Sequence, residues 1–259
     1  MNKLYLVDIE GTIVKDKSFA PIPGAVEWIG SFRSSPHRFV LVSNNTTHNP
    51  EDLLKVLKDQ GFDLEKENLL TCVGTALNWL KKKGVKKCFV IGNSQLKAYL
   101  SDNGIETPSD HRAEAVLVGL DTSLSYQTLK TAVNALVKDD AVLLALHANR
   151  LYKDVDGELA VSVGGIVKAL EYSSRKEAQV FGKPEPEIYR QAMQQFRARP
   201  DNCLMISDDP FSDLVGAKSL GMRTIFVTSG KYKDQAVLDG LETWLRPDWI
   251  HRSVAEIRI

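Results

Sequence analysis

Short apolar runs alternate with helical stretches along most of this chain, and the residues that follow the runs are polar. The first run, residues 4–7, stops at Asp8, and the second, residues 39–42, stops at Ser43, Asn44 and Asn45. This alternation predicts parallel strands joined by crossover helices. Further strands are predicted at residues 87–91, 115–118, 141–145, 203–206 and 224–227, and helices at residues 127–137 and 186–196. The chain is therefore expected to adopt an α/β fold, and no Pro/Gly/Ser-rich linker divides it by composition.

The balance of charge argues against two classes of partner. Lysine plus arginine and aspartate plus glutamate both number 33, so the formal net charge is zero. Such a chain has no global field that draws it to nucleic acid or to an acidic membrane surface. No apolar run approaches the length of a membrane span, and the first acids come too early for a signal peptide. We expect no nucleic acid, no membrane and a cytoplasmic setting, with the three cysteines buried and reduced.

Polar side chains gather where the predicted strands end. Asp8 follows the first strand, Ser43 and Asn44 follow the second, and Asp208 follows a late one, while Lys183 comes just after the apolar pair at 180–181. Ligands of open parallel sheets bind outside the carboxyl ends of the strands. A carboxylate pair, a hydroxyl-amide pair and a lysine are therefore expected at one edge of the sheet.

These residue types suit phosphoryl transfer. Mg²⁺ takes oxygen ligands, usually one or two carboxylates with waters and substrate phosphate, and Asp8 and Asp208 could supply them, with Asp213 in support. Lys183 would neutralise phosphate charge, and Asp8 could attack phosphorus as a covalent catalyst. Each residue taken alone is more often a turn, a cap or a surface side chain, and only their order and placement favour a site.

Four segments of the chain resemble, in the usual order, the four motifs of the haloacid dehalogenase superfamily. They are residues 8–12 (DIEGT), 43–45 (SNN), 182–184 (GKP) and 207–213 (SDDPFSD). The long insert between the second and third motifs resembles the cap of the NagD-like branch, class IIA. Residues 150–153 and 169–172 are similar to phospholysine phosphohistidine inorganic pyrophosphate phosphatases and their domain-containing relatives.

The resemblance implies a Rossmann-like parallel-sheet core, residues 1–77 and 180–259, with an inserted α/β cap domain over residues 78–179. It also implies a phosphatase with an aspartyl-phosphate intermediate on Asp8. Magnesium would be held by the Asp8 carboxylate, the main-chain carbonyl of Glu10 and Asp208, with Asp213 as an outer acid. Dimers through the cap are common in the branch, so a homodimer of this kind is open.

Other positions are expected to bind substrate. Ser43, Asn44, Asn45 and Lys183 would bind the phosphate of a small phosphorylated metabolite, the expected partner of this chain. His147 either faces substrate from the cap or only closes a strand, and Arg150 either contacts an anionic substrate or lines the surface.

The chain departs from the family pattern at two positions. Glu10 stands where most phosphatases of the superfamily have the aspartate that acts as general acid, and Ser207 stands where the pattern has glycine. A repositioned acid at Glu10 and a weakened catalyst are both open. The alternative functions are a phosphate-binding or regulatory protein with decayed catalysis and a dehalogenase, against which Lys183 and the magnesium carboxylates argue.

Overall fold

The computed structural model describes residues 2–15, 18–153 and 158–259. Two compact units make up the chain, the first from Met1–Ser43, Pro50–Thr71 and Lys183–Ile259, the second from Asn44–Asn49 and Cys72–Gly182. Composition alone indicated a single unit because no linker of distinctive composition marks the four points at which the chain passes from one unit to the other. The range expected for the cap, residues 78–179, lies inside the second unit, and its role in choosing substrate stays a prediction.

The elements alternate as the apolar pattern predicts, which confirms the α/β fold. The strands are β1 (Leu4–Val7), β2 (Arg38–Ser43), β3 (Leu69–Thr71), β4 (Cys88–Ile91), β5 (Ala115–Val118), β6 (Val142–Ala145), β7 (Leu151–Lys153), β8 (Leu159–Val161), β9 (Gln179–Val180), β10 (Cys203–Ser207), β11 (Arg223–Val227) and β12 (Trp249–His251). The α-helices are α1 (Ala25–Ser31), α2 (Pro50–Asp59), α3 (Cys72–Lys83), α4 (Ser94–Asp102), α5 (Tyr126–Lys138), α6 (Val163–Ser174), α7 (Pro186–Phe196) and α8 (Val215–Ser219). None of the helices in the described ranges is long and apolar enough to cross a membrane.

The first unit is built on a six-stranded sheet in the order β12-β11-β10-β1-β2-β3, and each neighbouring pair is parallel. Every residue of β1 is buried, since apolar layers cover both faces of the sheet. A strand covered on both faces reads as a continuous apolar run rather than an alternating one, which is why β1 and β10 stand out in the sequence. The sheet positions the residues that follow its central strands.

The second unit has its own parallel sheet in the order β4-β5-β6-β9 and a separate antiparallel pair, β7 with β8. Its core is formed by the apolar faces of α3, α5 and α6 against β4, β5 and β6. Each unit is compact because its own sheet is covered on both faces by apolar side chains.

Candidate active site

The site starts from the register of three parallel strands. Val7, the last residue of β1, lies beside Ile206 of β10 and Leu41 of β2. The Asp8 amide donates to the Ile206 carbonyl at 2.9 Å, which continues the ladder by one residue. The chain ends of β1 and β10 therefore place Asp8 and Asp208 at one edge of the sheet, as the sequence predicts for the first and fourth motifs.

Lys183 lies between two of the predicted acids. Its ammonium donates to Asp8 Oδ1 and, at 2.6 Å, to Asp213 Oδ2, and its side chain is 2% exposed. Burial alone would lower the pKa of Lys183, but the charges of Asp213 and Asp8 outweigh it and raise that pKa. Lys183 is therefore a permanent cation that ties the nucleophile candidate to Asp213.

Asp213 is held by several donors besides Lys183. Ser207 Oγ donates to its Oδ2 at 2.7 Å, and Ser212 Oγ donates to its Oδ1 at 3.1 Å. Tyr189 donates to the Asp213 carbonyl at 2.8 Å. With its carboxylate oxygens engaged in this way, Asp213 supports Lys183, and its expected role as an outer acid of the metal site stays a prediction.

Ser207 has a function in the fold that the sequence did not suggest. Besides donating to Asp213, its hydroxyl accepts the Asp209 amide at 3.0 Å. Asp209 in turn caps the π-helical turn Pro210–Leu214 by accepting the amides of Phe211 and Ser212 at 3.1 and 3.0 Å. The serine at this departure from the family pattern is thus accommodated, and its hydroxyl supports the turn that carries Asp213.

Asp208 sits in a cradle of backbone. A Cβ added to Gly11 or to Gly230 would collide with its carboxylate, and Gly11 has a φ of +82° that favours glycine. The Lys231 amide donates to Asp208 Oδ2 at 2.5 Å, and the Lys231 ammonium pairs with Asp209 at 2.9 Å. Gly230 and Lys231 follow a predicted strand, and a glycine followed by lysine in such a place carries no strong signal in the sequence by itself.

Thr12 joins the two acids that follow the strands. Its Oγ1 donates to Asp8 Oδ2 at 3.3 Å and accepts the Asp208 amide at 3.2 Å. Thr12 is fully buried. It fixes Asp8 and Asp208 relative to each other, which a divalent cation shared by the two residues would require.

The charges of this cluster fit a cation. Asp8, Asp208 and Asp213 are all buried and Lys183 pairs with Asp8 and Asp213, so the cluster carries an excess of negative charge when all three acids are ionised. The pKa of Asp8 lies well above its usual range, mainly because the carboxyl is buried. The charge of Lys183 lowers this pKa, whereas the negative charges of Asp213, Asp208 and Glu10 raise it further. Burial also raises the pKa of Asp208 to about 6, against the Lys231 hydrogen bond that lowers it. A bound cation would return both carboxyls to the ionised form.

The ligand count indicates what kind of cation fits. Among residues 2–15, 18–153 and 158–259, no three His, Cys, Asp or Glu side chains form a metal-holding group. A zinc site normally needs three or four such side chains. Magnesium takes only one or two carboxylates and completes its octahedron with water, carbonyl and phosphate oxygens. Asp8 and Asp208 are two buried carboxylates of this kind.

Glu10 lies close to Ser43. Its side chain is partly buried, and Ser43 Oγ donates to its Oε2 at 3.4 Å. Both residues belong to the first unit, so the expected acid and the expected phosphate-binding hydroxyl are neighbours. Their functional roles stay predictions.

The other predicted substrate-binding residues belong to the second unit. Asn44 Oδ1 packs against Gly182, where an added Cβ would lie 2.5 Å from it. Asn45 Oδ1 accepts the amides of Thr47 and His48 at 3.1 and 2.9 Å, so that side chain stabilises its own turn. Arg150 is exposed just before β7. Whether these residues reach a substrate stays a prediction.

His147 is buried where β6 ends. Its Nδ1 accepts the Asn149 amide at 3.3 Å, which leaves the proton of the neutral ring on Nε2. Burial lowers its pKa to about 4. At neutral pH the ring is uncharged, so it offers a hydrogen-bond donor but no positive charge.

This depressed pKa predicts a pH dependence of stability. The stabilisation from a neutral His147 is fully present above the unfolded pKa of about 6.5 and is lost as pH falls towards the folded pKa. By pH 5 the loss amounts to ~2 kcal/mol. His147→Gln keeps an acceptor for the Asn149 amide and cannot titrate, so its melting temperature should fall less than that of the wild type between pH 7 and pH 5. Equal falls in both proteins would contradict a buried neutral histidine.

Two family models match the chain in separate segments. The model for haloacid dehalogenase-like hydrolases matches residues 5–106, and a HAD-hydrolase-like model matches residues 180–257. The first contains Asp8 and Ser43, and the second contains Lys183, Asp208 and Asp213.

Two kinds of relative match over nearly the whole chain. Haloacid dehalogenase-like hydrolase domain-containing protein 2 of Rattus norvegicus is 35% identical over 233 residues, 89% of this chain and 86% of that protein. Phospholysine phosphohistidine inorganic pyrophosphate phosphatase of the same organism is 30% identical over 231 residues, 88% of this chain and 83% of that protein.

Solved structures share the fold. The p-nitrophenyl phosphatase from Archaeoglobus fulgidus has a TM-score of 0.88 and 26% identity, with 99% of this chain and 98% of that chain covered. NagD from E. coli K-12 has a TM-score of 0.85 and 24% identity over 100% and 99% of the two chains, a likeness of fold.

Proposed function

The chain belongs to the haloacid dehalogenase-like hydrolase family, and from that premise we propose that it is a magnesium-dependent phosphatase of small phosphorylated metabolites. The predicted family and an enzyme of this class are confirmed, and NagD shares the fold. The observation that carries the proposal is the buried contact of Lys183 with Asp8 beside Asp208. The names of the relatives support a phosphatase in particular, since a phosphohistidine and pyrophosphate phosphatase and a nitrophenyl phosphatase are among them.

In the proposed reaction Asp8 is the nucleophile. Its carboxylate oxygen forms a bond to phosphorus as the bond from phosphorus to the leaving oxygen breaks, which yields an aspartyl-phosphate and an alcohol or its equivalent. Lys183 favours the ionised form of Asp8, which burial opposes, and offsets charge on the phosphoryl oxygens. Water then attacks the phosphorus of the aspartyl-phosphate, which releases inorganic phosphate and restores Asp8.

Magnesium would be held by the Asp8 carboxylate, the Glu10 carbonyl and Asp208, and when bound it supplies positive charge opposite the phosphoryl oxygens. The cradle of Gly11, Gly230 and the Lys231 amide would orient the Asp208 carboxylate for this ligand role. Asp213 would act indirectly through Lys183.

Glu10 would be the general acid that protonates the leaving oxygen and then the base that takes a proton from water. Ser43 supports this role, because its hydroxyl can hold the Glu10 carboxylate in place. We propose that residues 78–179 form the cap that selects substrate, with His147 and Arg150 as its candidate contacts, and that Asn44 and Asn45 bind the phosphate. The fold alone does not name the metabolite, because side chains of the cap decide it.

Removal of the metal tests the proposed function. Hydrolysis of p-nitrophenyl phosphate should require Mg²⁺, vanish with excess chelator and return when Mg²⁺ is added back. A dehalogenase or a phosphate-binding protein without catalysis would show no metal-dependent release of p-nitrophenol. Turnover that survives exhaustive chelation would contradict the metal assignment.

Substitution of Glu10 tests the acid. Alkyl phosphates leave as basic alkoxides that need a proton, whereas p-nitrophenolate leaves without one. Glu10→Gln should therefore lower alkyl phosphate hydrolysis by ~10² to 10⁴-fold and p-nitrophenyl phosphate hydrolysis less. Glu10→Asp is the matched control, since it keeps the carboxyl and shortens its reach by about 1 Å. Initial rates and burst amplitudes for both substrates separate loss of the acid from slow dephosphorylation. Near-wild-type rates throughout would show that Glu10 takes no part.

A further inference from the structure

A cavity of about 500 Å³ lies in the first unit where three strands begin. Leu4, Arg38 and Cys203 are register partners at the starts of β1, β2 and β10, and Leu4 and Arg38 line the cavity. Asp8 follows the other end of β1, so roughly 13 Å of strand separates the two places at 3.3 Å per residue. The cavity is therefore distinct from the candidate active site.

The charges that line this cavity are all positive. Lys3, Arg38, Arg197 and Arg199 contribute to its walls, and none of its lining residues is acidic. Arg199 has a partner, Asp201, at 3.3 Å. Within the described ranges, the side chains of Lys3, Arg38 and Arg197 make no ion pair and no hydrogen bond. In a chain whose acids and bases are equal in number, this concentration is local and not a general property of the surface.

The end of a helix balances these charges only in part. Arg197 follows the last turn of α7, whose free carbonyls carry about half a negative charge, so the helix end balances only part of one cation. Solvation by water would suffice for one exposed arginine on a convex surface. Three cations without ion-pair partners in the described ranges surround one cavity and repel each other. An anion bound in the cavity would offset that repulsion.

A second cavity adjoins the first and indicates the rest of the ligand. It measures about 520 Å³ and shares Arg38, Gln195 and Phe196 with the first. Its walls include the half-buried ring of Phe196, the almost fully buried rings of Phe32 and Phe39, three acidic residues, and Arg33, which pairs with one of those acids. The acids of this lining outnumber its arginines and disfavour a second anionic group there, whereas the Phe196 ring favours a flat uncharged body.

We propose that the amino-edge cleft, defined as these two joined cavities, binds a small organic phosphate without hydrolysing it. The phosphate group lies among Lys3, Arg38 and Arg197, where charge-assisted hydrogen bonds recognise it, and the ring of the ligand lies against Phe196. The volume suits such a molecule, because small-molecule sites typically measure about 300 to 1,000 Å³. This site does not depend on the proposed phosphatase activity.

Calorimetry with adenosine 5′-monophosphate tests the cleft. The full chain carrying Asp8→Asn, in Mg²⁺ buffer, is titrated with this nucleotide, with adenosine and with inorganic phosphate. We expect the nucleotide to bind, phosphate to bind more weakly and adenosine not to bind. Arg38→Gln and Arg197→Gln should each weaken nucleotide binding by about tenfold, as expected for loss of one charge-assisted contact. Higher salt should weaken it as well.

Matched variants separate the cleft from the active site and from net charge. Arg190→Gln removes the same charge from an exposed position of α7 outside the cleft and should leave binding unchanged. In otherwise wild-type protein, the Arg38→Gln/Arg197→Gln variant should keep its melting temperature and its rate on p-nitrophenyl phosphate. The proposal is overturned if the nucleotide fails to bind at millimolar concentration, if the double variant binds it unchanged, or if Arg190→Gln weakens binding equally.

Discussion

Asp8→Asn should reduce turnover of p-nitrophenyl phosphate by at least ~10³-fold, the scale seen for essential catalytic groups. The amide keeps the shape of the side chain but loses its nucleophilic charge. The fold should survive, because Lys183 still pairs with Asp213 and one of several crowded acids becomes neutral. Single-turnover rates and circular dichroism measure the two effects, and an intact mass shows that the amide has not hydrolysed.

A matched control for this experiment is Asp59→Asn. It makes the same chemical change at an exposed residue of α2 that pairs with Lys55 at 2.7 Å, and it should leave turnover unchanged. If Asp8→Asn retained wild-type turnover, the covalent route through Asp8 would be wrong. If instead both variants lost activity, the assay rather than the nucleophile would be responsible.

Lys183→Met should abolish activity and destabilise the protein by about 3 to 5 kcal/mol, the effect typical of removing one partner of a buried ion pair. Asp8 and Asp213 would both be left buried without their shared cation. The urea midpoint and the rate on p-nitrophenyl phosphate report the two losses. Lys58→Met, which removes an exposed lysine 3.9 Å from Glu65, should cost about 1 kcal/mol or less.

A second variant keeps this prediction decisive if the first protein folds poorly. Lys183→Met combined with Asp213→Asn removes one of the two orphaned charges, so it should recover part of the stability and none of the activity. Lys183→Met with wild-type stability and turnover would show that the buried ion pair has neither role.

Most of the central framework can be predicted from the sequence, because continuous apolar runs mark strands buried on both faces. The run at residues 4–7 and the helix at residues 186–196 coincide with β1 and α7. The missed strands are short and lie mostly at sheet edges, such as β3 and β12, where two or three residues give no clear pattern. Trp249 and Ile250 in β12 are about 40% exposed, so this strand lacks the continuous buried apolar run by which the central strands are recognised.

The sequence predicts which residues form the candidate site, but it does not predict most of the contacts between them. Motif order indicates Asp8, Lys183 and Asp208, and the register of parallel strands explains why two of them meet. Motif order does not indicate that Lys183 donates to both Asp8 and Asp213. These two hydrogen bonds join residues that are 175 and 30 positions apart in the sequence. Neither the hydroxyl of Ser207 nor the Lys231 amide has a sequence signal, because any residue supplies an amide and serine is common in turns.

The interrupted path of the first unit also affects how the chain can fold during synthesis. β1 needs β10 as a neighbour in the sheet, yet the whole of Cys72–Gly182 must be made first. At typical ribosomal rates that delay is on the order of ten seconds. During that time the edge of β1 that later pairs with β10 stays unpaired in the nascent chain. An unpaired edge of an apolar strand can form non-native pairs with other strands. Slow folding with high contact order and reliance on chaperones are the expected results for this topology.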